Sequence, residues 1–328
     1  MSQLLSFVIP LKDEEASLTE LAERIFDSAK AFCPAFETEL IFIEDGSTDG
    51  SWDVIQQISH RWPGHIKGIR FRRNLGKALA LEAGFRCARG EIIFTLDADL
   101  QDDPQEIPRF LAKLNEGYDL VSGWKQTRHD PISKTLPSKL FNSVTARVTG
   151  VQLNDFNCGF KCYRRSVVEN IQLYGELHRY IPVLAADLGY RVGEIAVRHH
   201  PRQHGQSKYG VERYVRGFID LLTVLATTRW LVKPGHLFGG IGVGLGLIGG
   251  ASLVYLFLVW LFGEAPIGSR PLLAFGVLST LAALQMLSLG VIAEFYVKSI
   301  PVNLDRYVSA RLDTNRLLKE DAIAREKI

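Results

Sequence analysis

Short apolar runs alternate with amphipathic stretches in the N-terminal part of the chain. Each run has four to six residues rich in β-branched or aromatic side chains, which predicts a buried strand. The stretches between the runs have apolar residues at helical spacing. Strands and helices that alternate in this way form an α/β fold with a mostly parallel sheet. The predicted strands are Ser6–Leu11, Glu39–Glu44, Gly68–Phe71, Glu91–Leu96 and Asp119–Gly123.

The helices between these strands have recognisable start signals. Ser17 and Glu20 have the spacing of a capping box, which predicts that their side chains cap the first helix. A second helix is predicted from Trp52 to Arg61, and a third ends near Gly90. Pro104 is expected to open a fourth, because its fixed φ suits the first helical turn.

Two long apolar runs follow in the C-terminal part of the chain. Leu237–Phe262 has 26 residues without a charge and Pro271–Ala293 has 23. Each run is long enough to cross a hydrocarbon core of about 30 Å, so a transmembrane helical hairpin is predicted. Basic residues flank the hairpin, and Met1–Leu5 lacks the pattern of a signal peptide. We therefore expect a protein of the cytoplasmic membrane with both termini in the cytosol.

Composition narrows the class of protein further. The chain has 328 residues, of which 47% are hydrophobic and 23% charged. Its net charge of +2 is too small to favour a nucleic-acid partner. The four cysteines lack the spacing of a zinc site, so reduced thiols that pack in the core are expected.

The most distinctive polar residues follow the strand Glu91–Leu96. Asp97 and Asp99, here called the acidic pair, lie two residues apart, and Gln101 lies two further on. If the extended conformation continues through Asp99, the three side chains project to one side. Oxygen ligands at this spacing suit a hard divalent cation that completes its shell with water and substrate phosphates. The alternative is a solvated acidic turn.

Loops after the first three strands contain further candidates for a phosphate-handling site. Glu14 and Asp45 offer acceptors to a base or ribose, Gly46 lets a ligand approach the backbone, and Lys77 offsets phosphate charge. Each residue taken alone also fits a turn or a helix cap. Because the loops after parallel strands meet at one sheet edge, their convergence with the acidic pair favours a nucleotide-diphosphate site.

A basic segment follows the last predicted strand. It contains Lys125, Arg128, Lys134, Ser138 and Lys139. In a soluble protein this pattern is typical of a solvated face. Close to a membrane, the same donors suit a lipid phosphate.

Four segments together resemble the family 2 inverting glycosyltransferases: Val8–Glu15, Glu44–Ser51, Arg73–Lys77 and Asp97–Gln101. The chain is most similar to the polyprenyl-phosphate branch, which includes dolichol-phosphate mannose synthase, bactoprenol glucosyltransferases and the undecaprenyl-phosphate aminoarabinose transferase. The similarity continues through Asn154–Lys161, Glu176–Tyr180 and His199–Tyr209 to about Lys298. It departs from the usual motifs at Asp13, where asparagine is common, and at Gly159, where many relatives have aspartate.

The resemblance implies a GT-A domain at residues 1–210. An amphipathic interfacial helix would follow at 211–233, then the hairpin at 234–298 and a cytoplasmic tail at 299–328. The resemblance also implies that Asp97, Asp99 and Gln101 surround Mg²⁺ or Mn²⁺. The nucleotide sugar would be bound by Pro10, Glu14, Asp45, Gly46, Lys77, the acidic pair, Ala98, Arg202 and Lys208. The acceptor phosphate would be bound by Lys125, Arg128, Lys134, Ser138 and Arg179.

The predicted reaction transfers a sugar from a nucleotide-diphosphate donor, with uridine diphosphate expected, to polyprenyl (undecaprenyl) phosphate with inversion. The acidic pair, Asp155 and Glu176 are the candidate catalytic residues. Because the acceptor is already anionic near neutral pH, a general base is optional. Two alternatives are transfer to a lipid or glycan hydroxyl, which needs a base, and a membrane-anchored sensor without turnover. Faces with Gly239, Gly246 and Gly250 permit a homo-oligomer through the spans.

Overall fold

The computed structural model describes residues 3–126, 132–200, 223, 234–263, 266, 268 and 270–299, without the side chains of 3, 132–140 and 298. The strands are β1 Gln3–Leu11, β2 Phe36–Glu44, β3 Ile66–Arg70, β4 Ile92–Thr95, β5 Leu120–Lys125, β6 Lys161–Arg164 and β7 Val192–Val197. The first helices are α1 Leu18–Phe32, α2 Ser51–Arg61, α3 Lys77–Cys87 and α4 Ile107–Asn115. They are followed by α5 Ile132–Thr149, α6 Arg165–Asn170 and α7 Ile181–Asp187. Short 3-10 helices cover Pro104–Glu106 and Leu177–Tyr180.

These strands form one mixed sheet in the order β3-β2-β1-β4-β6-β5-β7. All neighbours pair in parallel except β6, which is antiparallel to both β4 and β5. The mostly parallel sheet is therefore confirmed, and the five strands predicted from the sequence are all present. Neither β6 nor β7 was predicted.

The sheet is covered on both faces, as its sequence pattern requires. Along β1, Phe7 and Ile9 belong to one buried cluster and Val8 to another, because successive side chains of a strand alternate in direction. The first cluster includes apolar residues of α1, α2 and α4. The second includes those of α3, α6 and α7. Three cysteines are buried in these clusters as free thiols: Cys33, Cys158 and Cys162.

The predicted capping box is wrong. Ser17 makes no side-chain bond to the helix; its hydroxyl donates instead to the carbonyl of Glu14, 2.9 Å away. Glu20 is paired with Arg24 one turn along the helix. A local interaction in the preceding turn has replaced the cap, because Ser17 has helical rather than extended dihedral angles.

Two apolar helices, Pro234–Leu261 and Pro271–Ser299, form the C-terminal hairpin. Both are long and apolar enough to cross a membrane. They pack closely through glycine: a Cβ added at Gly249 would lie 2.7 Å from Thr280 Oγ1 and 2.9 Å from the Gly276 carbonyl. Many of their other apolar side chains, such as Phe295 at 71% exposure, are exposed in the described part of the structure.

Candidate active site

The first residue of the acidic pair lies at the carboxyl edge of the sheet. Asp97 follows β4 after one residue, and its carboxylate forms an ion pair with Lys77, the first residue of α3. Burial alone would raise the pKa of Asp97, but the charges of Lys77 and Lys125 hold it well below its usual value. Asp97 is therefore anionic near neutral pH and keeps 30% of its side chain exposed.

The second carboxylate is placed by a turn rather than by the strand. The extended conformation ends at Thr95 and the chain turns at Ala98 and Asp99, so strand alternation does not align the pair. Asp99 is 9% exposed, and its Oδ1 accepts from the Gln101 amide at 3.3 Å. Leu100, between them, has a φ of 60°, a left-handed conformation that costs an apolar residue of order 1 kcal/mol and is common at functional sites.

The loop after β4 is tied to the chain beyond β7. Gln101 accepts at its carbonyl from the His200 amide (2.9 Å), and its side-chain amide donates to the His200 carbonyl (3.3 Å). His200 also lies 3.3 Å from a carboxylate oxygen of Asp103. These contacts fix the start of the segment that contains Arg202 and Lys208, which themselves lie outside the described residues.

The donor set of this loop fits a hard cation. Asp97, Asp99 and Gln101 offer carboxylate and amide oxygens, the ligands that Mg²⁺ and Mn²⁺ prefer. Within the described part of the chain, no group of three His, Cys, Asp or Glu residues is placed to hold a metal ion. A cation at the acidic pair would therefore take further oxygens from a bound diphosphate or water, which is how Mg²⁺ is usually bound.

Asp45 and Gly46 organise the neighbouring loop. Asp45 is 6% exposed, and its carboxylate accepts from the amides of Leu75 (2.6 Å) and Gly76 (2.9 Å) just before α3. Gly46 has a φ of 66°, and a Cβ there would lie 2.4 Å from the Asn74 amide nitrogen. In this structure, the group that comes close to Gly46 is therefore the backbone near Asn74, whereas the sequence predicted a ligand there. Both residues hold the loop that leads into Lys77.

The loop after β1 meets the loop after β2, as the parallel topology predicts. Asp13 accepts from the Thr48 amide at 2.7 Å, and the Glu14 amide donates to the Ser51 hydroxyl at 3.0 Å. Asp13 has a φ of 50°, a conformation that Asn and Asp both tolerate. The departure from the usual asparagine therefore preserves the backbone of this motif.

A small pocket of about 20 Å³ opens beside Asp97, with room for about one water molecule. Its walls come from the carboxyl ends of β1 and β4, the start of α3, the segment before β6 and the 3-10 helix Leu177–Tyr180. The polar and charged lining residues are Lys77, Thr95, Asp97, Asn157, Lys161, Tyr163, His178 and Arg179, and Pro10 and Gly159 also contribute.

Lys161 and His178 are among the lining residues that were not singled out from the sequence. Lys161 is 3% exposed, and its ammonium donates to the carbonyls of Cys158 and Phe156. Burial lowers the pKa of Lys161, although Cys158 and Asp155 act in the opposite direction. Lysine at the start of a short strand carries no local signal of burial, so the sequence pattern does not single it out.

His178 belongs to a segment already noted for its similarity, but without a role for the imidazole. Its side chain is 13% exposed, and Nδ1 has no hydrogen-bond partner in the described structure. Burial lowers the pKa of His178 well below its ordinary value, with further lowering by Lys77, Arg179 and Lys161. The ring is therefore neutral beside the pocket.

The other candidate residues differ in their access to ligands. Lys125 is 12% exposed and pairs at 3.0 Å with buried Asp102. Burial alone would lower the pKa of Lys125, but the negative charges of Asp102 and Asp97 help to raise it above its usual value. Asp155 has no exposed surface and accepts from the Asn157 amide at 3.1 Å. Glu176 pairs with Arg179 at 3.0 Å.

The remaining acceptor-site candidates lie wholly or partly outside the described residues. Arg128 lies outside the described residues. Lys134 and Ser138 fall within α5, but their side chains also lie outside them.

Known proteins similar to this chain include sugar transferases named for a polyprenyl-phosphate substrate. A family model described as glycosyl transferase family 2 matches residues 6–172. A dodecaprenyl-phosphate galacturonate synthase of Rhizobium johnstonii is 38% identical over 90% of this chain and 88% of its own length. An undecaprenyl-phosphate 4-deoxy-4-formamido-L-arabinose transferase of Pseudomonas paraeruginosa is 36% identical over 89% of this chain and 84% of its own.

Among solved structures, the fold is shared with glucosyl-3-phosphoglycerate synthase from Mycobacterium tuberculosis, crystallised with Mn²⁺, uridine diphosphate and phosphoglyceric acid. The TM-score is 0.50 at 18% identity, and the match covers 69% of this chain and 78% of that one. At this identity the similarity concerns the fold alone. The matched architecture is the GT-A type expected from the sequence.

Proposed function

This chain belongs to glycosyl transferase family 2, and we propose that it transfers a sugar from a nucleoside-diphosphate donor to a polyprenyl phosphate. The acceptor proposed here is the class named for both relatives, which match the chain over about nine tenths of its length. The observation that carries the proposal is the acidic pair at the carboxyl edge of the sheet, next to a pocket lined with cations. Uridine diphosphate is the proposed leaving group.

In the proposed reaction, an oxygen of the acceptor phosphate attacks the anomeric carbon as the bond to the diphosphate breaks. Asp97, Asp99 and Gln101 would hold Mg²⁺ or Mn²⁺, which stabilises the charge of the departing diphosphate when bound. Lys77 is close enough to the same carboxylate to turn to the diphosphate and offset its charge. Attack from the face opposite the leaving group inverts the anomeric centre.

The acceptor's own chemistry makes a protein base unnecessary. A phosphate monoester is already ionised near neutral pH, so no proton has to leave before attack. Asp155 is fully buried and Glu176 is held by Arg179, which fits roles in positioning better than proton transfer. A sugar or lipid hydroxyl would need an exposed carboxylate to take its proton.

We further propose that the two apolar helices anchor the catalytic domain at the cytoplasmic face of the inner membrane. The residues between domain and hairpin lie outside the described structure, so the proposed interfacial helix at 211–233 rests on the sequence pattern. Its spacing of apolar and basic residues would keep the pocket near the lipid headgroups, where the acceptor phosphate lies.

The test is release of uridine diphosphate by the detergent-purified full chain with Mn²⁺ or Mg²⁺. A panel of nucleotide sugars is supplied with and without undecaprenyl phosphate. We expect release that requires both a donor and the lipid phosphate, and its loss in the Asp97→Asn and Asp99→Asn variants. Asp27→Asn, on the exposed face of α1, is the matched control. Release without the lipid, or full activity of the two variants, would contradict the proposal.

A further inference from the structure

The donor sugar must lie close to the pocket beside Asp97. In a nucleoside-diphosphate sugar, the anomeric carbon is bonded to the terminal phosphate, which the acidic pair would hold through a metal ion. The sugar ring therefore begins within a few ångströms of that carboxylate. The walls nearest to Asp97 are Lys77 on one element and the segment Asn157–Lys161 on another.

The charges around this pocket do not balance. Among the described residues, three cations line it, Lys77, Lys161 and Arg179, against the single carboxylate of Asp97. Lys77 is paired with Asp97, and Arg179 is paired with Glu176 just outside the lining. The ammonium of Lys161 instead donates to two backbone carbonyls, with the nearest carboxylates acting on it only through space.

The position of Lys161 is set by the sheet. It is the first residue of β6 and pairs with Thr95, two residues before Asp97. Lys161 is 3% exposed, so its ammonium is largely shielded from water. An anion bound there would interact with it more strongly than at the protein surface. A ligand that brings a negative group to this end of the pocket would supply that partner.

A carboxylate side chain at position 159 would compete with a ligand for the Lys161 ammonium, and glycine has no such side chain. A Cβ at position 159 would lie 2.4 to 2.7 Å from the three atoms of the Asp97 carboxylate group. No side chain therefore fits between Asp97 and the segment that leads to Lys161. The site is left without a second carboxylate at the point where, by resemblance, many relatives have aspartate.

From these contacts we propose that the enzyme selects a donor whose sugar carries a carboxylate, that is, a nucleoside-diphosphate hexuronate, and that Lys161 is the residue that recognises it. The inference rests on the proposed function, since it concerns the donor of the same reaction. The carboxylate of the sugar accepts hydrogen bonds from the Lys161 ammonium, with Arg179, which also lines the pocket, as a second donor. A neutral hexose brings a hydroxyl to the same place and leaves the buried charge unpaired.

The experiment compares four donors with undecaprenyl phosphate and the purified full chain: UDP-galacturonate, UDP-glucuronate, UDP-galactose and UDP-glucose. The proposal predicts that kcat/KM is at least tenfold higher for one of the uronates than for either neutral sugar. This is the range expected for a charge-assisted hydrogen bond to a buried group. Equal or higher kcat/KM for a neutral donor overturns it.

The Lys161→Met variant separates the sugar carboxylate from the diphosphate as the source of negative charge. If Lys161 binds the sugar, kcat/KM falls about tenfold to a hundredfold for the uronate and less than threefold for neutral donors. Equal loss with all donors would assign Lys161 to the diphosphate and overturn the proposal. Lys161→Arg should retain the preference, and Lys67→Met, which breaks an ion pair with Glu39 elsewhere in the sheet, is the control for a lost lysine.

The donor comparison with the unmodified enzyme tests the preference for a uronate donor even if Lys161→Met fails to fold. Lipid-dependent release with neutral sugars alone would leave the proposed function standing and overturn the uronate preference. Absence of lipid-dependent release with every donor would overturn the proposed function itself. The two failures are therefore distinguishable in one assay.

Discussion

Lys77 and a divalent cation compete for the same carboxylate of Asp97. The ion pair is partly exposed, with 24% of the lysine and 30% of the aspartate side chain accessible, so its contribution is modest. Replacing Lys77 by Met should release Asp97 and tighten Mn²⁺ binding about two- to fivefold in the absence of donor, the range of a pair worth up to about 1 kcal/mol. Calorimetric titration with Mn²⁺ measures this.

The same substitution should lower turnover at least tenfold, because the diphosphate loses a cation that offsets its charge in the transition state. Lys67→Met leaves the acidic pair untouched and is the matched control. Weaker Mn²⁺ binding in Lys77→Met than in the unmodified enzyme would mean that the lysine supports the metal site rather than competing for it.

His178 makes stability depend on pH. Its pKa in the folded protein lies well below the unfolded value of about 6.5, so the unfolded chain binds more protons as pH falls through that value. Stability is therefore complete above about pH 6.5 and is lost below it, by up to about 1.4 kcal/mol per pH unit. The groups acting on the ring include Lys77, Arg179, Lys161 and, in the opposite sense, Asp97. The Glu176 carboxylate also lies 4.0 Å from Nδ1.

Melting temperatures of the purified protein at pH 7.5 and 5.5 measure this effect. Between pH 7.5 and pH 5.5, the melting temperature of the unmodified protein should fall more than that of the His178→Asn variant. His60→Asn removes an exposed imidazole on α2 and should behave like the unmodified protein. An identical pH dependence in His178→Asn would show that the buried imidazole does not contribute.

Some residues of the site could be predicted from the sequence, and others could not for a physical reason. The acidic pair, Asp45 and Lys77 follow strands whose carboxyl ends share one edge, so their convergence could be predicted from the strand order. Lys161 and His178 reach the pocket from an antiparallel strand and a 3-10 helix, and nothing in their local sequence indicates burial. What each predicted residue binds stays a prediction.

Among the elements, the parallel strands β1, β2 and β4 were predictable because each contains a compact apolar run and is followed by a helix. The strand β6 was not, since its four residues begin with lysine and end with arginine. It becomes a strand through pairing with β4 and β5 on either side, a tertiary effect that local propensity does not contain. The capping box failed for a local reason instead, since the Ser17 hydroxyl donates to the Glu14 carbonyl in the preceding turn.

The apolar helices show how context changes the meaning of a motif. Gly244–Gly249 fits the glycine pattern of a dinucleotide-binding loop, but it lies inside an apolar helix. The structure gives Gly249 a packing role against the second helix, whereas a Cβ on Gly244 would have nothing within 4 Å. Helix packing therefore accounts for the close glycine.

This packing predicts a specific crosslink. A Cβ at Gly246 would lie 3.5 Å from the Cβ of Ala283, a separation that suits a disulfide. Cysteines introduced by Gly246→Cys and Ala283→Cys should crosslink within one chain when membranes are oxidised, as detected by mass spectrometry of the linked peptides. The pair Gly244→Cys and Ala283→Cys is the control and should not. Equal crosslinking of both pairs would contradict the hairpin.

At the scale of the whole molecule, the family match and the full-length relatives cover different parts of the chain. The family match ends at residue 172, within the sheet domain, whereas the polyprenyl-phosphate relatives match over 88% and 84% of their own lengths. The extended similarity fits an enzyme whose acceptor is a membrane lipid. A domain that acted on a soluble acceptor would not need two long helices with exposed apolar side chains.

The central claim is that the sugar is joined to the phosphate of a polyprenyl lipid. Mass spectrometry of the lipid formed from undecaprenyl phosphate and the active nucleotide sugar tests it most directly. The account predicts a product heavier by one sugar residue that fragments to undecaprenyl phosphate and is absent with Asp97→Asn. An unchanged lipid, with the sugar found on a hydroxyl or released to water, would contradict it.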